Sequence, residues 1–172
     1  MSAVFSNNGA GVRGDLKAVA RAILLDPEAR DTATAMASPG FGKLREPVVR
    51  FLNWARGFGA SSPANAWAIG DLSDPAAKLG QSPMRSSSVF NFFRPGYVPP
   101  GSSLGAQGMA GPEFQITTES SVAGYVNFMQ RAVNGTGIGD VRASYTALVA
   151  LASDSAALLA EIERQALQFG AA

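Results

Sequence analysis

General acid-base chemistry in this sequence falls to its carboxylates, because its 172 residues include neither histidine nor cysteine. A Ser-His-Asp triad, a Cys-His pair, imidazole acid-base catalysis, a histidine-based zinc site, thiolate chemistry and disulfides are all excluded within the chain. What remains is paired carboxylates, which divide acid and base roles when their environments differ. Glu113 and Glu119 form the most suggestive pair, since Arg94 and Tyr97 lie close to them in sequence order and would partly line a polar pocket with them. These four are the candidate site residues. Each also has a plainer use. Glu119 falls in the first turn of an expected helix, where a carboxylate stabilises the positive end by roughly 0.3 to 1 kcal/mol, and Glu113 directly follows a proline.

Gly9-Ala10-Gly11-Val12-Arg13-Gly14 matches G-x-G-x-x-G and precedes a helix, the outward form of a dinucleotide-binding turn. That turn needs a buried strand before it and a second strand after the helix. Only Ala3, Val4 and Phe5 precede it, and Asp26-Pro27-Glu28 follows the helix, so the reading is an ordinary loop and no cofactor is expected. Arg45-Glu46-Pro47 reads as helix initiation rather than a functional ion pair. Asn134-Gly135-Thr136 fits a glycosylation pattern, but Asn-Gly is first of all a turn dipeptide. No metal site follows from any spacing.

Charge narrows the partners. Fourteen basic residues against thirteen acidic give a formal net charge of +1, and the basic ones are scattered, so nucleic-acid binding is not favoured. No run approaches the length of a membrane span, and the N-terminus shows no basic region followed by an apolar core. The charged share of 16% lies below the usual quarter. A surface so poor in charge suggests that part of it is normally covered.

The elements that must position these residues are helices. Leu16, Val19, Ala20, Ile23 and Leu24 recur at helical spacing behind Asp15 as a cap, and the helix ends near Leu25 because Asp26 precedes Pro27. A second helix is expected over 46–58, with Val48, Phe51, Leu52 and Ala55 on its face and Trp54 on its flank. A third is capped by Thr117 or Thr118, with Val122, Val126, Met129 and Val133 on one face and Tyr125 and Phe128 beside it. A fourth is expected from near Asp140, aligning Val141, Tyr145, Leu148 and Ala152. A fifth starts near Ser153 or Asp154, aligning Leu159, Ile162, Ala166 and Phe169. A short helix is expected from Asp74-Pro75 to Gly80, and a mobile stretch from Gly101 to Gly111. No stretch alternates convincingly, so the class is all-α, with about five main helices, long Gly/Pro-rich connections and no significant sheet.

One segment resists this description. Ser82 to Gly101 carries Met84, Val89, Phe90, Phe92, Phe93 and Tyr97 between four prolines. Side chains of this size are worth roughly 1.5 to 3 kcal/mol each when buried, which makes the segment an expected aromatic plug between helices. Phe92→Ala and Phe93→Ala would then each cost on the order of 3 to 5 kcal/mol.

Six phrases stand in order along the chain: Asn8-Gly9 through Val19, Arg21 through Arg30, Gly42 through Pro47, Leu79 through Pro83, Val89 through Tyr97, and Pro112 through Thr117. Together they resemble the C-terminal portion of the bacterial domain of unknown function 1800 family. The resemblance covers nearly the whole chain. It implies a largely helical protein of several hundred residues, often made with an export signal, and it implies no activity. It also implies that residues 1–172 are a single helical region belonging to a larger domain. The expected role is therefore a helical scaffold or interaction module of an exported protein, acting in the periplasm or outside the cell. Its expected partner is the rest of the parent chain or another protein. The alternative is part of an enzyme whose pocket of Arg94, Tyr97, Glu113 and Glu119 is completed by upstream sequence.

Overall fold

The computed structural model describes residues 1–38 and 40–168. It contains two compact units, Met1–Lys43 and Leu44–Ala172. Among the described residues no sheet forms, only the isolated bridges Ser61 to Arg142 and Ile138 to Val141, and the class is all-α.

The first unit holds four helices, α1 Ser2–Ser6, α2 Leu16–Leu24, α3 Pro27–Arg30 and α4 Thr32–Ala37, of which the last three start on aspartate caps. Asp15 accepts from the Ala18 N–H at 3.0 Å, and Asn8 donates to its other oxygen at 2.7 Å. Asp26 accepts from the Glu28 N–H, and Asp31 accepts from the Ala33 and Thr34 N–H groups. Each cap satisfies donors that a helix start leaves unpaired. The helix over Leu16–Leu24 is where the periodicity placed it. Its apolar side chains Leu16, Ile23 and Leu24 nevertheless remain exposed.

The second unit is built around α5 Pro47–Gly57 and α7 Glu119–Val133. Pro47 opens α5 as its missing N–H allows. The next donor, Val48 N–H, is taken by the buried Gln81, whose Oε1 accepts at 3.3 Å while its Nε2 donates to the Glu46 carboxylate. The inward face of α5 is Val48, Phe51, Trp54 and Ala55, continued by Phe58 just past its end, with Leu52 outside. Trp54 is thus a core residue rather than a flank residue. Its ring stacks on Phe51 at 5.5 Å and its indole N–H donates to the Tyr145 hydroxyl at 3.1 Å. Phe128 of α7 meets Phe51 edge-on at 5.4 Å.

The face of α7 is also rotated from its expected setting. Ser121, Gly124, Phe128 and Ala132 are buried, whereas Val122, Val126 and Val133 are exposed. Close packing decides this. A Cβ at Gly124 would lie 2.3 Å from the Pro75 carbonyl oxygen, so the helix sits on the 75–76 backbone by its smallest residue. Arg131 adds a hydrogen bond to the Ala77 carbonyl at 2.9 Å.

The remaining elements are short. Residues 74–80 form a turn closed by Lys78 N–H to the Asp74 carbonyl at 3.0 Å, not a helix. Within the stretch expected to be mobile stands α6 Ser103–Ala106, capped by Ser102, and the 3-10 helix Pro112–Ile116 follows. The helix expected from Asp140 is confined to α8 Thr146–Val149. Gly137 and Gly139, both at positive φ, instead fold residues 137–142 into a tight turn. α9 Ser155–Gln168 starts where Asp154 accepts from the Ala156 and Ala157 N–H groups, and it lies against α5 and α8. Leu159 and Ile162 stay exposed on it, while the Ala166 side chain and Phe169 lie outside the described residues.

Candidate functional site

One main-chain and one side-chain hydrogen bond bring the segment Arg94–Tyr97 beside the 3-10 helix. The Arg94 N–H donates to Gln115 Oε1 at 2.7 Å, and the Gly111 N–H donates to the Tyr97 carbonyl at 2.8 Å. Gln115 was not among the expected site residues. An amide two positions after Glu113 carried no signal in the sequence, since its partner is a backbone group 21 residues away.

The four candidate side chains take different settings. Glu113 is buried, and its Oε2 has no hydrogen-bond partner among the described residues. Glu119 is exposed at the first position of α7, directly after the Thr118 cap, which is the favourable place for a carboxylate at a helix start. Arg94 is exposed and Tyr97 half-buried. Among the described residues no side-chain hydrogen bond or ion pair joins any two of them, and no cluster of three or more carboxylates is placed to hold a metal ion.

The aromatic segment is not a plug. Val89 is 94% exposed, Phe90 66%, and Met84 is wholly exposed, while Phe92, Phe93 and Tyr97 are half-buried. The reason lies in local closure. Arg85 N–H bonds to the Ser82 carbonyl, Phe90 N–H to the Ser88 hydroxyl and Tyr97 N–H to the Arg94 carbonyl, so the chain turns back on itself. Met84 and Asn91 take positive φ of 61° and 69°, which reverses direction within the segment. The interior that a plug would fill is already occupied by Phe51, Trp54 and Phe128. Buried Gln81 and Ser82 at one end and Gln115 near the other anchor a loop on which Met84, Val89 and Phe90 are exposed.

A second constellation was not foreseen. The Ser62 hydroxyl accepts from the Ala66 and Trp67 N–H groups and donates to Asp140, which also accepts from the Ala68 N–H at 2.6 Å. The Ser62 bond is the chief cause that holds the Asp140 carboxyl below its ordinary range, followed in the same direction by the Ala68 N–H. Since the folded value is depressed, the contribution is fully present above the unfolded carboxylate value of about 3.9 and is lost as pH falls through the folded one. Asp140→Asn is therefore expected to flatten the acid side of the stability curve. Denaturant melts from neutral pH downward check this, and an unchanged slope would show that Asp140 does not fasten the loop.

The glycine loop turns its donors inward. Asn7 Oδ1 accepts from the Gly9 and Gly11 N–H groups, each at 2.9 Å, and Asn8 Oδ1 from Ala10 and Val12. The element before it is the helix α1 rather than a strand.

No helix among the described residues is long and apolar enough to cross a membrane. No curated protein and no solved structure matches the chain. The family model described as "Protein of unknown function (DUF1800)" matches residues 1–170. With a match over nearly its full length, joined to an all-α fold, the chain belongs to the DUF1800 family, whose function is unknown.

Proposed function

We propose that this chain is a helical interaction module that presents the loop at Met84–Phe93 to a protein surface, within a protein exported from the cell. The observation that carries the reading is the exposure of the apolar side chains Met84, Val89 and Phe90 on a loop fixed at its ends. Apolar patches of this kind mark interaction sites more often than bare surface. The low charged share of 16% points the same way. Under this proposal Arg94, Tyr97, Glu113 and Glu119 serve the fold: Glu119 supports the start of α7, and the other three belong to the base of the loop.

Association is the test. Exposed apolar side chains of this kind drive the isolated chain to self-associate, and burial of each large one is worth about 1.5 to 3 kcal/mol. Sedimentation of the parent and of the Val89→Glu, Phe90→Glu double variant should therefore show self-association weakened by roughly tenfold or more, with the thermal melt unchanged. A parent that stays monomeric at high concentration, or a double variant that associates as the parent does, would overturn the assignment of the loop.

A further inference from the structure

Asn-Gly occurs twice in the chain, at Asn8-Gly9 and at Asn134-Gly135. We propose that Asn134 is a site of spontaneous chemical modification, deamidation through a succinimide, and that the fold protects Asn8 from the same reaction. The argument rests on which groups are occupied.

In the reaction the backbone nitrogen of the glycine, having lost its proton to base, attacks the asparagine side-chain carbonyl carbon. An N–Cγ bond forms, the Cγ–Nδ2 bond breaks, and ammonia leaves. Water then adds to one of the two ring carbonyls. Opening at Cγ gives aspartate, and opening at the former peptide carbonyl gives isoaspartate. The net change consumes one water and releases one ammonia, with no oxidant or reductant. Three conditions govern it: a free glycine nitrogen, a free side-chain amide, and room for the backbone between them to rotate.

At Asn8 the first two fail. The Gly9 N–H donates to Asn7 Oδ1 at 2.9 Å. The Asn8 amide is bound at both ends, Nδ2 donating to Asp15 at 2.7 Å and Oδ1 accepting from the Ala10 and Val12 N–H groups at 2.9 and 3.2 Å.

At Asn134 all three hold. Among the described residues neither its side-chain amide nor the Gly135 N–H makes a hydrogen bond, and both residues are exposed at the end of α7. Gly135 stands at φ +81° with nothing within 4 Å of where a Cβ would be, so the space beside the turn is open for the backbone to move into. The neighbouring Thr136 hydroxyl is turned back to the Arg131 carbonyl at 2.8 Å, closing the helix and leaving the asparagine amide to solvent. The product places a carboxylate among the last carbonyls of α7, where negative charge is unfavourable. The modification is thus a slow clock acting on the turn that leads from α7 into residues 137–142.

The experiment is incubation of the full folded chain in mildly alkaline buffer made with heavy-oxygen water, followed by peptide mapping. Each Asn-Gly peptide is scored over time for heavy oxygen and for isoaspartate. Because several hydrogen bonds must open at Asn8 and none at Asn134, the Asn134 peptide should convert roughly tenfold faster or more. A parallel incubation in denaturant should bring the two rates together, since the unfolded chain offers both pairs alike. Equal rates in the folded chain, or faster conversion at Asn8, would overturn the proposal. A large rate difference that persists in denaturant would equally overturn it, because the fold would not be its cause.

Discussion

Phe51→Ala is expected to cost about 3 to 5 kcal/mol, while Phe90→Ala is expected to stay within about 0.5 kcal/mol of the parent. The two phenylalanines differ in setting alone. Phe51 is 2% exposed, stacks on Trp54 and takes the edge of Phe128, so its removal leaves a cavity walled by rings that cannot close it. Phe90 is 66% exposed on the loop and loses little packing. Phe92 and Phe93, half-buried, fall between, at roughly 1 to 2 kcal/mol each. With a total margin of about 5 to 15 kcal/mol for a domain, the Phe51 variant should sit near the edge of folding. Denaturant melts of the four variants rank them. A Phe90→Ala loss as large as that of Phe51→Ala would show that the loop is packed.

Gly124→Ala is expected to destabilise, against the ordinary preference of helices. In a helix interior, replacing glycine by alanine normally gains about 0.5 to 1 kcal/mol. Here the added Cβ would lie 2.3 Å from the Pro75 carbonyl oxygen and 2.8 Å from the Ala76 carbonyl carbon. Both are backbone atoms, which cannot rotate away as a side chain can. Over-packing of this kind costs about 1 to 3 kcal/mol, which exceeds the propensity gain, and Gly124→Val should be worse. Gly96→Ala is the control, since nothing lies within 4 Å of its Cβ position and its φ is not positive. A thermal melt in which Gly124→Ala is as stable as the parent would mean that α7 does not rest on residues 75–76.

The contrast between these variants separates what the sequence determined from what packing decided. Helices over Leu16–Leu24, Pro47–Gly57 and Glu119–Val133 were legible because their signals are local: an aspartate or threonine cap, a proline at the first position, and apolar residues at helical spacing. The same holds for α9 behind Asp154. The family could also be read directly from six ordered phrases. The inward face of α7 was not legible. Valine at 122, 126 and 133 makes the more apolar stripe by composition, yet the helix turns Gly124 and Ala132 inward, because a close approach to the 75–76 backbone admits only small residues. Nor was the turn at 137–142, since Asp140 has its partners at Ser62 and Ala68, which sequence spacing cannot pair.

The candidate site shows the same division. Its residue types excluded imidazole and thiol chemistry outright, whereas the grouping of Arg94 and Tyr97 with Glu113 and Glu119 rested on sequence order alone. Which side chains would be buried was not legible. Six large apolar residues between prolines carry the same transfer energy whether they enter a core or stand outside it. Only the tertiary structure decides, by whether other rings already fill the space. Phe51, Trp54 and Phe128 do fill it, and so Val89 and Phe90 face outward.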